Sequence, residues 1–277
     1  MNGFLNKQVK TVFTFCIYLT TVLFITILFN NSFNLDSRVL KTSADVKMDY
    51  TGVVLNNNGR LIKIPVLAYH CVNNNPFGNK ELFLSSDIFS KQMKFLHDEG
   101  YTSITFDQLD RITVNNISKP IMITFDDGYG DNYIYAYPIL KKYNLRATIF
   151  VVTNLIGRKN YLKADELLKM VDIIDFESHT VHHNYLTQLS DDKIDYEAKC
   201  SQVYLEKLLN KRIVALAYPY GKYNENVISI IKRYYKYGIA TGGKILDMQN
   251  REYEIKRIGI DNKTDLERFK WLIKNST

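Results

Sequence analysis

From Leu61 onward the chain alternates short apolar runs with amphipathic stretches, and this alternation restricts the fold more than any other feature. The runs "LIKIPVLAYH", "PIMITFDDG", "RATIFVV", "VDIIDFESH", "RIVALAYPYG", "GIATG" and "EIKRIGID" read as strands. Between them "SSDIFSKQMKFLHDEG", part of "NYIYAYPILKKYN", "ADELLKMV", "SDDKIDYEAKCSQVYLEKLLN" and "NENVISIIKRYYKYG" read as helices. Strands alternating with helices predict an α/β fold with a parallel sheet or barrel. In such folds chemistry collects at the C-terminal ends of strands.

The N-terminus has a different pattern. Residues 1–10 carry Lys7 and Lys10 and no acid, and Thr11 to Phe29 then runs without a charge. That run is long enough to cross a bilayer as a helix, and the lysines before it place the N-terminus inside. The expectation is a cytoplasmic tail over residues 1–10 and a transmembrane anchor over 11–30. A polar, Asn-rich linker over 31–60 and an exported domain over 61–277 follow. A cleaved signal peptide, which would leave a secreted protein, is the rival reading. Hydrophobic residues make up 46% of the chain, which suits a globular domain. The net charge of +7 is scattered rather than clustered, so nucleic acid is not an expected partner. Cys16, Cys71 and Cys200 form no C-x-x-C pair. They read as free thiols, with a single Cys71–Cys200 bridge as the alternative.

Polar residues punctuate the strand ends. In "ITFDDGY", Asp126 and Asp127 precede Gly128, which permits a sharp turn. Adjacent strand residues face opposite ways, so the two acids can have separate tasks. They can also be plain turn acids, and they are poorly placed as a glycosidase pair opposed across a bond. In "ESHTVHH", His179 and His183 have the spacing of paired imidazole ligands, and His182 lies off their face. Two imidazoles and one carboxylate leave an open position, the ligand count of catalytic zinc. One aspartate can bind the metal and the other can handle a proton. His70, ending "VLAYH", is either a general acid or a buried, hydrogen-bonded histidine. His97 reads as a surface residue. In "LAYPYG", Pro219 and Gly221 can present the Tyr220 N–H as an oxyanion donor, or form an ordinary turn.

"TFDDGY", "SHTVHH" and "AYPYG", in this order, resemble the polysaccharide deacetylases of carbohydrate esterase family 4, the NodB-homology domain. The likeness runs from about Leu61 to Asp261. It implies a distorted (β/α) barrel and a divalent metal, usually Zn2+. It also implies hydrolysis of N-acetyl groups on N-acetylglucosamine residues of a polymer. By resemblance, Asp126 is the catalytic base, Asp127, His179 and His183 are metal ligands, and Tyr220 supplies the oxyanion N–H. The family's acid histidine usually lies near the C-terminus, yet no histidine follows His183. "LAYH" resembles the deacetylases of the biofilm polymer poly-β-1,6-N-acetylglucosamine, which gives the acid role to His70. Ala217 stands where the family arginine holding the catalytic Asp would be; Arg257 or Lys222 could supply the charge. The implied partners are the glycan, the membrane through the N-terminal helix, and exopolysaccharide synthase machinery. Peptidoglycan as the substrate, or a glycan-binding module with a decayed site, are the alternatives.

Overall fold

Pro65 divides the first apolar run in two, because it has no N–H to give to a ladder. Before it, β1 (Val53–Asn57) and β2 (Arg60–Ile64) form an antiparallel hairpin with Val53 opposite Ile64. After it, β3 (Val66–Tyr69) enters a different, larger sheet. The single strand expected over Leu61–His70 is therefore two strands in two sheets. The structure is a computed structural model that describes residues 53–57, 60–75, 79–109, 117–242 and 252–276. The tail and anchor expected over 1–30 and most of the expected linker lie outside the described residues. Among the described residues no helix is long and apolar enough to cross a membrane.

The chain continues through β4 (Cys71–Val72), β5 (Phe83–Leu84), α1 (Ser86–Asp98) and β6 (Thr102–Ser103). Ser85 caps α1: its Oγ accepts the Ile88 N–H at 3.2 Å. Then come β7 (Pro120–Phe125), a π-helical turn at Asn132–Ala136, α2 (Tyr137–Lys142) and β8 (Ala147–Val151). The rest comprises α3 (Ala164–Met170), β9 (Ile174–Ser178), α4 (Asp191–Leu209), β10 (Ala215–Ala217), α5 (Glu225–Ile231), β11 (Tyr237–Ile239), β12 (Ile258–Gly259) and α6 (Leu266–Lys274).

The large sheet runs β11-β10-β9-β8-β7-β3-β12, all parallel, with β6 paired to the start of β7. It is curled, as the barrel expectation requires. One segment near the C-terminus bridges its two edges. Ile255 pairs with Ile239 at the end of β11, and Ile258 and Gly259 pair with Leu67 and Ala68 of β3. Arg257 lies between these two attachments, fully buried inside the curl.

The outer core packs Leu67, Tyr69, Phe125 and Phe176 against Phe89, Met93, Leu140 and Phe269 of the helices. Inside the curl sit Val66, Met122, Phe150, Ala217 and Ile239. Strands buried on both faces explain the near-continuous apolar runs. Where β9 meets β10 a side chain takes the place of part of the ladder. Glu177 Oε2 accepts the Val214 and Ala215 N–H groups at 2.8 and 2.7 Å.

Two expected elements end early. The helix expected through Gly238 stops at Ile231, because Tyr235 turns inward and its hydroxyl donates to Ala198 O at 2.7 Å. The expected strand "EIKRIGID" pairs only at Ile255 and over β12.

Candidate active site

Four strand ends converge on one edge of the sheet. His70 follows β3, Asp126 and Asp127 follow β7, His179 follows β9, and the Tyr218–Gly221 turn follows β10. The Asp126 N–H donates to Tyr69 O at 3.0 Å, which ties the first two ends together.

The backbone here is unusual. Asp127, Thr180, His183 and Tyr220 all have positive φ, between 58° and 71°. Such conformations are uncommon outside glycine, and for a β-branched Thr or a bulky Tyr they are strained. Their concentration at one edge marks a site where geometry has been favoured over local comfort. Gly128 (φ +75°) makes the turn after the two acids, and a Cβ there would come within 3.1 Å of Val151 Cγ1.

Asp127, His179 and His183 each present a ligand atom, all within 4.8 Å of one another. Asp127 Oδ1 lies 3.5 Å from His179 Nε2 and 3.4 Å from His183 Nε2. Donors about 2.0–2.2 Å from a tetrahedral centre stand about 3.4 Å apart, so this donor set fits a small divalent cation. His179 Nδ1 donates to Ala217 O at 2.8 Å, which leaves Nε2 free to ligate. Burial pushes the His179 imidazole down to about 3 and lowers His183 as well, so both rings are neutral and ready to bind. Burial raises Asp127 to about 6 and outweighs the lowering pull of His70 and Arg257.

Asp126 has a cation in direct contact. Arg257 Nη1 and Nη2 donate to its two carboxylate oxygens, each at 2.7 Å, in a buried fork. Nη1 also donates to Thr124 Oγ1 at 3.0 Å, and Nε to Ala240 O at 3.3 Å. Burial alone pushes the Asp126 carboxyl up, but the Arg257 charge and hydrogen bonds outweigh it and hold it below the usual carboxylate range. Of the two cations weighed from sequence, Arg257 takes the role. Lys222 is exposed, and the guanidinium on Asp126 is that of Arg257. The adjacent acids thus have separate partners, one a guanidinium and the other a pair of imidazoles.

His70 Nε2 lies 3.9 Å from Asp126 Oδ2 on the open side of the site. Its carbonyl accepts Asn132 Nδ2 at 3.0 Å, and the same amide donates to Asp131 Oδ1 at 2.9 Å. The π-helical turn delivers Asn132 to that place, and such turns recur at functional sites. The 3₁₀ turn at Tyr220 is closed by Gly221 N–H to Tyr218 O and Lys222 N–H to Pro219 O, at 2.8 and 3.1 Å. Neither bond uses the Tyr220 N–H.

His182 stays out of the ligand set, as its position off the His179/His183 face suggests. Its Nδ1 pairs with Glu197 Oε1 at 2.7 Å, while Glu197 Oε2 accepts the Val181 and His182 N–H groups at 2.8 and 2.9 Å. Glu197 therefore clamps the loop that carries His183. Glu197→Ala is expected to lower stability by about 1–3 kcal/mol through lost acceptors, read by denaturant unfolding. Cys71 and Cys200 are both free. His97 lies far from these groups, on the exposed side of α1, with Nδ1 3.0 Å from Tyr143 O.

A curled parallel sheet with a carboxylate–imidazole–imidazole set and a second, separately held acid has the layout of a metal-assisted hydrolase. A family model described as polysaccharide deacetylase matches residues 113–238. The chain is 32% identical over 203 residues to YxkH of Bacillus subtilis (strain 168), covering 72% of this chain and 71% of that one. YxkH's name carries "polysaccharide deacetylase" without specifying which polysaccharide. This chain is also 31% identical over 213 residues to the poly-β-1,6-N-acetyl-D-glucosamine N-deacetylase of Staphylococcus aureus (strain N315), covering 70% of this chain and 72% of that one. Among solved structures, the deacetylase PplD of Streptococcus pyogenes in complex with acetate matches with a TM-score of 0.70 and 34% identity. That match covers 76% of this chain and 98% of PplD. The chain belongs to the polysaccharide deacetylase family.

Proposed function

We propose that this protein removes N-acetyl groups from N-acetylglucosamine residues of extracellular poly-β-1,6-N-acetylglucosamine, releasing acetate. The observation that carries this reading is the position of His70. The acid histidine comes from a strand ahead of the aspartates, and its ring lies 3.9 Å from Asp126. Two relatives support the deacetylase class, and one of them is named for this glycan. The apolar segment over residues 11–30 would hold the domain on the outer face of the cell membrane.

Asp127, His179 and His183 would hold a divalent cation, which we take to be Zn2+. When bound, such an ion supplies Lewis-acid charge that acidifies water and polarises a carbonyl. The protein's own residues do the rest. Asp126, kept ionised by Arg257, accepts a proton from the attacking water. The Tyr220 N–H faces the oxygen of the acetyl group and donates to it as negative charge develops. His70 then gives a proton to the nitrogen as the C–N bond breaks, leaving an amine and acetate. Asn132 holds the His70 backbone in register. Asn132→Ala is therefore expected to lower kcat by on the order of 10- to 100-fold with a smaller change in KM, in steady-state acetate release. The absent family arginine, which would argue for a decayed binding module, is replaced in space by Arg257.

The glycan assignment is tested by turnover on β-1,6-linked N-acetylglucosamine oligomers against peptidoglycan muropeptides. Faster acetate release from the β-1,6 oligomers is the expected result. Preference for muropeptides would move the substrate to the cell wall while leaving the chemistry in place.

A further inference from the structure

Two tyrosine pairs flank the candidate metal ligands. Tyr129 and Tyr161 stack at 5.1 Å, two residues past Asp127, and their backbones form a bridge. Tyr185 and Tyr220 stack more tightly, with centroids 3.8 Å apart and planes 9° from parallel. The Tyr220 ring also lies 4.6 Å from the His183 imidazole.

The second pair is the exposed one, with Tyr185 38% and Tyr220 49% accessible. Large rings usually bury most of their surface, and stacked pairs usually sit in cores or interfaces. Here one ring comes from the loop after β9 and the other from the turn after β10. Stacked face to face, they cover each other's inner faces, and His183 crowds Tyr220, so the outer face of Tyr185 is the apolar surface offered at the rim of the site. A pyranose ring has complementary chemistry: a face of C–H groups surrounded by hydroxyls.

We propose that the Tyr185–Tyr220 stack is the ledge that holds a sugar ring of the glycan. Tyr185 is then the residue that favours polymeric over short acetylated substrates. The inference rests on the deacetylase reading and extends it to a residue outside the three motifs. Tyr220 is fixed by its backbone role, whereas Tyr185 touches the site only through its ring. Its contribution therefore concerns gripping the chain of sugars, not the acetyl group.

The test compares kcat/KM of the full-length protein on β-1,6-linked N-acetylglucosamine oligomers and on p-nitrophenyl acetate, which is too small to span the ledge. Tyr185→Ala should lower the oligomer-to-ester ratio by about 3- to 10-fold, mainly through KM, and Tyr185→Phe should retain it. An equal loss on both substrates would make Tyr185 a prop for the Tyr220 turn and overturn the ledge. So would an unchanged ratio in an active Tyr185→Ala protein. Wild-type inactivity on the oligomers, with ester turnover intact, would instead overturn the glycan reading beneath it.

Discussion

Arg257→Leu is expected to abolish acetate release, by at least about 10³-fold, and to destabilise the fold by about 3–5 kcal/mol. The stability loss follows from leaving Asp126 as an uncompensated buried charge. The guanidinium makes two 2.7 Å bonds to that carboxylate and further bonds to Thr124 and Ala240. In the wild type Asp126 titrates below its ordinary range. It therefore contributes stability that is present above the usual carboxylate pKa and lost as pH falls through the folded value. Without Arg257 the opposing effect of burial stands alone, and Asp126 moves above the ordinary range. The sign then reverses: the variant loses stability as pH rises towards neutrality. Melting temperatures at pH 4 and pH 7 read this directly, with the variant's deficit larger at pH 7. Arg257→Lys should recover little, since one ammonium cannot reproduce the fork.

Removal of the metal is the second large effect. His179→Ala, or treatment of the wild type with a chelator, is expected to reduce acetate release to background, and zinc should restore only the chelated wild type. Asp127 has a metal-free value of about 6, so protons compete with the cation below that pH. Apparent metal affinity should fall by about tenfold per pH unit as pH drops below 6, measured by competition with a coloured chelator. An affinity that stays flat from pH 7 to pH 5 would remove Asp127 from the ligand set.

The candidate site residues were legible because each sits in a short run at the end of an apolar strand. The run of Asp126, Asp127 and Gly128 and the spacing of His179 and His183 raise them as candidates, with plain turn acids as the alternative, and the family resemblance gives each its role. The groups that hold them were not legible. Arg257 lies 131 residues from Asp126 along the chain and reaches it only because the last strand bridges the sheet edges. Its sequence surroundings made it one of two candidates, and burial decided between them. Glu197 sits in the middle of a helix, where an acid reads as solvated surface, yet only 3% of it is exposed. Asn132 depends on a π-helical turn that no periodicity reveals. α6 was not among the expected helices, although Asp265 offered a cap signal and does accept the Arg268 N–H at 2.8 Å. The early end of α5 was not readable, because tertiary bonds made by Tyr235 outweigh local helical preference.

The central claim is that two neighbouring acids have different tasks, Asp127 for the metal and Asp126 for the proton. Asp126→Asn tests it by measuring acetate release and bound zinc on the same purified protein. The account predicts a fall in release of at least about 10²-fold with zinc content unchanged. Release that stays near the wild-type rate, or zinc lost together with activity, would contradict it.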